Sequence, residues 1–324
     1  MIKSVTATNH LGESLTMELM RPEKSGFIVK SIEGLNPVNS EINSVKLARS
    51  HGARYNSSRL ATRSIVLNIA FYDDGIRTVE SLRHTIYKYF PDNNKLRFTI
   101  ESDTRTVYTD CYVESNEVEI FSNDEICSIT LFCPDPFLYS TKGGHVTFNM
   151  IEPAFEFPFP DEIYDEVPGI GPEDPEKLVM PAIEFGIIRD VFTQGLYYDG
   201  DCDTGMEITL SIIAPEESEV INPIIYNNLT KQTMRVDTEK LKKVMGSERG
   251  LINGDVININ TNLMEKSITL TREGVTTNIL NCLEKGTKWL TLKPGNNELT
   301  CAADNDTAEF VSVRIDYNVA YGGI

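Results

Sequence analysis

Apolar residues alternate with polar ones in short runs along most of the chain, the period of a half-buried strand. In Ser64–Tyr72, Ile65, Leu67 and Ile69 fall on one face and Val66 and Ala70 on the other. Similar runs at 2–8, 15–20, 27–32, 95–100, 106–115, 118–121 and 125–133 predict further strands. Asn9-His-Leu-Gly12 reads as a hairpin turn, and Cys133-Pro-Asp-Pro136 stops the last run. One segment has a different rhythm. Ile76, Val79, Leu82, Ile86 and Tyr89/Phe90 follow three-and-four spacing, which predicts a helix over 76–90 capped by Asp73 or Asp74 and ended by Pro91.

The alternation fails over residues 151–180, where nine carboxylates and six prolines accompany a single lysine. Proline removes backbone donors and like charges repel, so an extended linker or exposed loop is expected there. From Ala182 short strands return: 183–188, 195–198, 206–213, 221–227, 233–236, 256–260, 267–272, 275–278, 289–292, 297–302 and 309–317. Turn signals such as Asn253-Gly254-Asp255 and Pro294-Gly295-Asn296-Asn297 separate them. Closely and evenly spaced strands of this kind predict an antiparallel sandwich or jelly roll. The whole reads as all-β with one packed helix. A first domain spans 1–140, an acidic proline-rich linker 141–181, and a β-sandwich 182–324.

Charge narrows the function classes. The net charge of −18 argues against nucleic acid held on the outer surface, though an acidic wall lets DNA slide past without trapping it. No run approaches the ~20 apolar residues of a membrane span, and Met1–His10 lacks an apolar signal core, so the chain is expected to stay in the cytoplasm where it is made. Six cysteines at 111, 127, 133, 202, 282 and 301 form no CxxC pair and read as reduced strand residues.

Little of the chain looks chemical. Asp199, Asp201 and Asp203 place oxygen donors at every second position of a loop, but Thr204 and Leu210 stand where a calcium loop of the EF-hand type wants glycine and glutamate. A polar turn is the plainer reading. The four histidines are scattered, and no HExxH, GxSxG or phosphate-loop pattern occurs, so no enzyme activity and no cofactor are expected. Trp289, the sole tryptophan, alternates with apolar neighbours and is expected to be buried rather than offered to a sugar. The basic stretch carrying Lys46, Arg49, Arg54, Arg59 and Arg63 is either a solvated loop or an inter-subunit arm, the arm being favoured.

In their order along the chain, several segments resemble the distal tail protein (Dit) family of long-tailed bacteriophages. They are Phe27–Asn43, the arginine-rich stretch through Arg63, the helix with Arg83 and Tyr87, and Cys133–Phe137. Downstream follow Tyr198–Met206, Asn222–Asn227, Asn253–Ile259, Trp289–Asn297 and Tyr317–Ile324. The resemblance implies a first domain forming a belt: a β-barrel with a flanking helix that closes into a hexameric ring. It implies a galectin-like second domain projecting outward.

The expected function is a structural protein of a phage tail tip or baseplate, whose ring joins the tail tube to the hub and host-adhesion apparatus. Partners would be further copies of itself, the tail tube protein, the tape-measure protein, the hub or tail-associated protein, and receptor-binding proteins or fibres. A channel for DNA would need acidic or neutral walls, and Glu114, Glu117 and Glu119 are candidates for its lining. A carbohydrate-binding module recognising cell-surface glycans is the alternative.

Overall fold

The computed structural model describes residues 1–46, 51–72, 75–119, 125–149, 151–153, 186–188 and 191–324. The expected linker therefore lies largely outside the described residues, as do Asp73, Asp74 and Arg49.

The first domain builds one large antiparallel sheet. Strands β1 (Ile2–Thr8) and β2 (Ser14–Glu18) form the expected hairpin. A single helical turn, α1 (Pro22–Ser25), leads into β3 (Phe27–Glu33), and a separate pair follows, β4 (Ser40–Lys46) and β5 (Ala53–Leu60). Then come β6 (Arg63–Phe71), α2 (Val79–Tyr89), β7 (Lys95–Ser102), β8 (Thr106–Val118), β9 (Ile126–Cys133) and β10 (Leu138–Ser140). The spatial order is β2-β1-β7-β8-β9-β6-β3.

This sheet is open, which corrects the expected β-barrel: β2 and β3 end it, and no pairing between them closes it among the described residues. The connection from β2 to β3 turns through α1 instead of letting the two strands meet edge to edge. Alternation does its work within each strand. Ile65, Leu67, Ile69, Phe98, Ile100, Ile129 and Leu131 are fully buried while their neighbours face outward. Helix α2 closes this core with Leu82 and Ile86. It starts later than expected, because Thr78 accepts from the Ser81 N–H as its cap and leaves Ile76 88% exposed.

The second domain is a two-sheet sandwich. Gly144–Asn149 (β11) lies within the stretch expected as linker yet forms an edge strand of this domain. Two short strands, β12 (Ile151–Pro153) and β13 (Gly186–Ile188), pair with each other. The rest comprises β14 (Val191–Tyr198), β15 (Glu207–Ile212), β16 (Ile221–Asn227), β17 (Gln232–Arg235), α3 (Thr238–Met245), β18 (Val256–Asn260), β19 (Ser267–Arg272), β20 (Val275–Asn278), β21 (Gly295–Asp304) and β22 (Val311–Tyr317), after which β23 (Ala320–Tyr321) returns to the first sheet. One sheet runs β11-β22-β15-β18-β19-β20 and the other β14-β21-β16-β17. Their inner faces, including Ile208, Leu210, Ile257, Ile268 and Val313 against Leu196, Ile225 and Leu299, share one core.

Further details differ from the sequence reading: the runs at 106–115 and 118–121 join in the single strand β8 as far as Val118. Residues 289–292 form no strand, only an isolated bridge from Leu292 to Thr204. Helix α3 was not foreseen, so α2 is not the one packed helix; Asp237 caps α3, Gly246 ends it with φ +61°, and Leu241 is its buried anchor.

Candidate assembly interface

Strands β4 and β5 stand apart from both hydrophobic cores. Every residue in both is exposed, and among the described residues they pair only with each other. Cross-strand partners share a face, so the register sorts the hairpin into two sides. Ser40 opposes Leu60, Ile42 opposes Ser58, Ser44 opposes Tyr55 and Lys46 opposes Ala53, with a bulge between Asn43 and Ser44. One side thus carries Ile42, Tyr55 and Leu60, exposed by 65%, 61% and 43%. The other carries Glu41, Arg59, Val45 and Arg54. Arg59 Nε meets Glu41 Oε2 at 2.6 Å within that polar side.

A two-stranded hairpin standing alone is marginal in water. This one also leaves its apolar side wet. Of the basic residues singled out in the sequence, Lys46, Arg54 and Arg59 lie on the hairpin and are exposed. The apolar trio beside them was missed by composition, and its signal is the alternation on either side of the bulge.

Arg63 is different and corrects its expected place on the arm. It is 1% exposed. Its Nε donates to the Pro136 carbonyl at 2.8 Å, Nη1 to the carbonyls of Gly34 and Asn36, and Nη2 to that of Gly322 at 2.7 Å. Burial pulls its pKa below the ordinary value, opposed by Cys133, Asp135 and Cys202 nearby, and the guanidinium stays charged. A long cation was needed because four carbonyls from three separate segments converge there. Gly34 fits the same spot only as glycine: its φ is +84°, and a Cβ would lie 1.9 Å from the Ser64 carbonyl oxygen.

Arg63 therefore fixes the root of the hairpin to the second domain. Next to it, β23 pairs with β10 of the first sheet, Leu138 opposite Tyr321, and the Ile324 N–H donates to the Leu35 carbonyl at 3.2 Å. The Arg105 guanidinium lies 4.1 Å from the Tyr321 ring centroid and reaches Asp201 at 3.4 Å. Tyr198 OH donates to the Cys202 carbonyl at 3.0 Å and accepts from the Ala320 N–H at 2.8 Å; burial pushes its pKa up to about 12.

The acidic loop 199–205 belongs to this junction. Asp201 pairs with Arg105 and Asp203 with Lys293 at 3.4 Å, while Asp199 is exposed. Among the described residues no group of three His, Cys, Asp or Glu side chains is placed to hold a metal ion. Trp289 is half-buried against the sandwich core, with the Lys266 ammonium 5.7 Å from its ring centroid. Glu114, Glu117 and Glu119 are exposed along and just beyond β8. Asn222 and Asn227, from a segment of the family resemblance, are structural: Asn222 accepts from the Thr238 N–H, and the fully buried Asn227 donates to the Thr291 carbonyl.

Residues 22–133 match the phage tail protein RIFT-related domain, and residues 199–321 match the C-terminal domain of the siphovirus-type tail component. No curated protein sequence matches the chain. Among solved structures, the crystal structure of Dit from phage SPP1, described as a paradigm of the hub adsorption apparatus in phages infecting Gram-positive hosts, superposes with a TM-score of 0.58. It shares 13% identity, with 98% of each chain covered. The phage P2 baseplate in its activated conformation gives 8% identity, 98% coverage of each chain and a TM-score of 0.49 with calcium. With strontium it gives 9%, 97% and 0.47.

Two tail-protein domains, in this order on an all-β chain, define a structural component of a phage tail. The chain belongs to the distal tail protein family, Dit, and is a component of the virion tail.

Proposed function

We propose that the protein forms a hexameric ring at the tail tip or baseplate, joining the tail tube to the hub and the host-adhesion apparatus. The observation that carries this is the β4–β5 hairpin, whose apolar side is exposed and has no cover among the described residues. Fully burying residues of this size is worth about 1.5–3 kcal/mol each, enough for a neighbouring subunit to gain by covering Ile42, Tyr55 and Leu60. Family membership supplies the setting. The tail tube and tape-measure proteins would meet one side of the ring, and the hub and receptor-binding proteins or fibres the other. A channel through it would have walls without net positive charge, so that phosphate does not pause there.

The glycan-binding alternative has less support, since Trp289 packs on the core. Light scattering and negative-stain imaging of the purified protein test the proposal. A hexameric mass with a central opening is expected; a strict monomer at high concentration would overturn the ring.

A further inference from the structure

Rings of identical subunits need two different surfaces on each copy, one that gives and one that receives. The hairpin is the first. A second apolar feature, far less conspicuous, lies on the outer face of the first-domain sheet. Tyr112 and Phe132 are directly opposite one another on β8 and β9 and are 40% and 37% exposed. Their strand neighbours Cys111, Val113, Leu131 and Cys133 are buried, so the two rings point away from the core.

Carboxylates surround this aromatic pair. Glu33 opposes Val66 and Val66 opposes Thr130, which places Glu33 on the same outer face. Glu114 occupies the bulge between Val113 and Ser115, and Glu117 opposes Ser128. All three are exposed, and none makes an ion pair among the described residues. The nearby Lys95 and Arg97 are both held by Asp110, at 2.9 and 2.8 Å. Lys95 lies opposite Tyr112 and shares the one Asp110 carboxylate with Arg97, so the patch holds two cations against four carboxylates, a net charge of −2.

The hairpin has the complementary character. Its apolar side also carries Lys46, and Arg54 lies on the opposite side near the tip; neither makes an ion pair among the described residues. Hairpin and patch are both exposed in one copy, so they do not cover each other within it. We propose that the hairpin of one copy docks on the Tyr112–Phe132 face of the next, with Ile42, Tyr55 and Leu60 over the aromatic pair and Lys46, on the same side, meeting Glu33, Glu114 and Glu117, while Arg54 on the far side adds positive charge near the tip.

The contact is head-to-tail: each copy gives one hairpin and receives one, the geometry that generates a closed ring when the rotation between copies closes. It assigns Glu114 and Glu117 to the subunit interface in place of a channel wall. The inference rests on the self-assembly proposed above and adds the receiving surface.

Two experiments on the full chain test it. First, Tyr55→Cys and Phe132→Cys are introduced together and oxidised with copper phenanthroline, with the parent protein, whose cysteines are buried apart from the half-buried Cys202, as control. A ladder of linked chains on a denaturing gel is expected for the double variant and for neither single one. Second, K46E/R54E is expected to raise the concentration for half-assembly at least tenfold, and combining it with E33K/E114K/E117K to restore most of that loss.

An intact assembly by light scattering, with no ladder and no rescue, would remove this receiving surface while leaving the ring itself standing. A parent protein that stays monomeric would remove both.

Discussion

Arg63 Nη2 donates to the carbonyl of Gly322 across 2.7 Å, although 259 residues separate them in the chain. That bond, with the three others the guanidinium makes, ties the root of the exposed hairpin to a strand that arrives only after the whole second domain has been built. The position of the arm and the attachment of the second domain thus depend on one buried cation.

Replacing Arg63 by methionine keeps the bulk and removes every donor. Four carbonyls then lose their partner, and a destabilisation on the order of 3 kcal/mol is expected. Arg63→Lys should be nearly as damaging, because an ammonium cannot reach carbonyls on three segments at once. Hydrogen exchange checks this: protection should fall at residues 320–324 and at the hairpin root before it falls in the sandwich core.

Gly34→Ala places a methyl group against the fixed Ser64 carbonyl in a left-handed conformation. A loss of more than about 2 kcal/mol is expected. Gly254→Ala, with φ +85° but open space around it, is the matched control and should cost only about 1 kcal/mol. Equal thermal shifts for the two would show that backbone strain, and not the contact with Ser64, sets the cost.

The triple change Ile42→Ser, Tyr55→Ser, Leu60→Ser touches no packed residue. The stability of the isolated subunit should move by no more than about 0.5 kcal/mol, while assembly weakens severely. Denaturation midpoints and light scattering, read together, distinguish an assembly arm from a folding element.

Glu219 supplies a pH test within the second domain. Its carboxylate accepts from the Gly250 N–H at 2.6 Å and from Lys242 at 3.3 Å, and these bonds hold its pKa below the usual carboxylate range. A depressed folded-state pKa contributes stability that is present above the unfolded value, about 4.3, and is lost as pH falls through the folded one. Glu219→Gln should therefore be less stable than the parent at pH 7, with the gap narrowing below about pH 4. A gap in melting temperature that is constant across pH would contradict this origin.

The strands were legible because one side of each is buried, which imposes a two-residue period on sequences such as Ile65–Ile69. The hairpin was harder to read. A bulge between Asn43 and Ser44 breaks the period of its pairing, and its apolar residues are too few to mark a face. Helix α3 had a cap at Asp237 and a glycine stop at Gly246, but its one fully buried apolar anchor, Leu241, makes no visible stripe. Arg63 was counted with its basic neighbours because composition cannot distinguish an exposed arginine from one whose acceptors lie at Gly34, Asn36, Pro136 and Gly322. The proposed giving and receiving surfaces likewise rest on register and burial, not on residue type.

The strand formed by Ala320 and Tyr321 also sets an order of events during synthesis. The first sheet accepts its final strand, opposite Leu138, from chain made after the entire sandwich. Until then Arg63 lacks its bond to Gly322, and the Leu35 carbonyl lacks its bond from the Ile324 N–H. A nascent chain consequently exposes the hairpin while its root holds three of the four Arg63 bonds, those to Gly34, Asn36 and Pro136. Delaying the lock until the sandwich is complete would make correct assembly a post-translational step, with the second domain acting as timer as well as cargo.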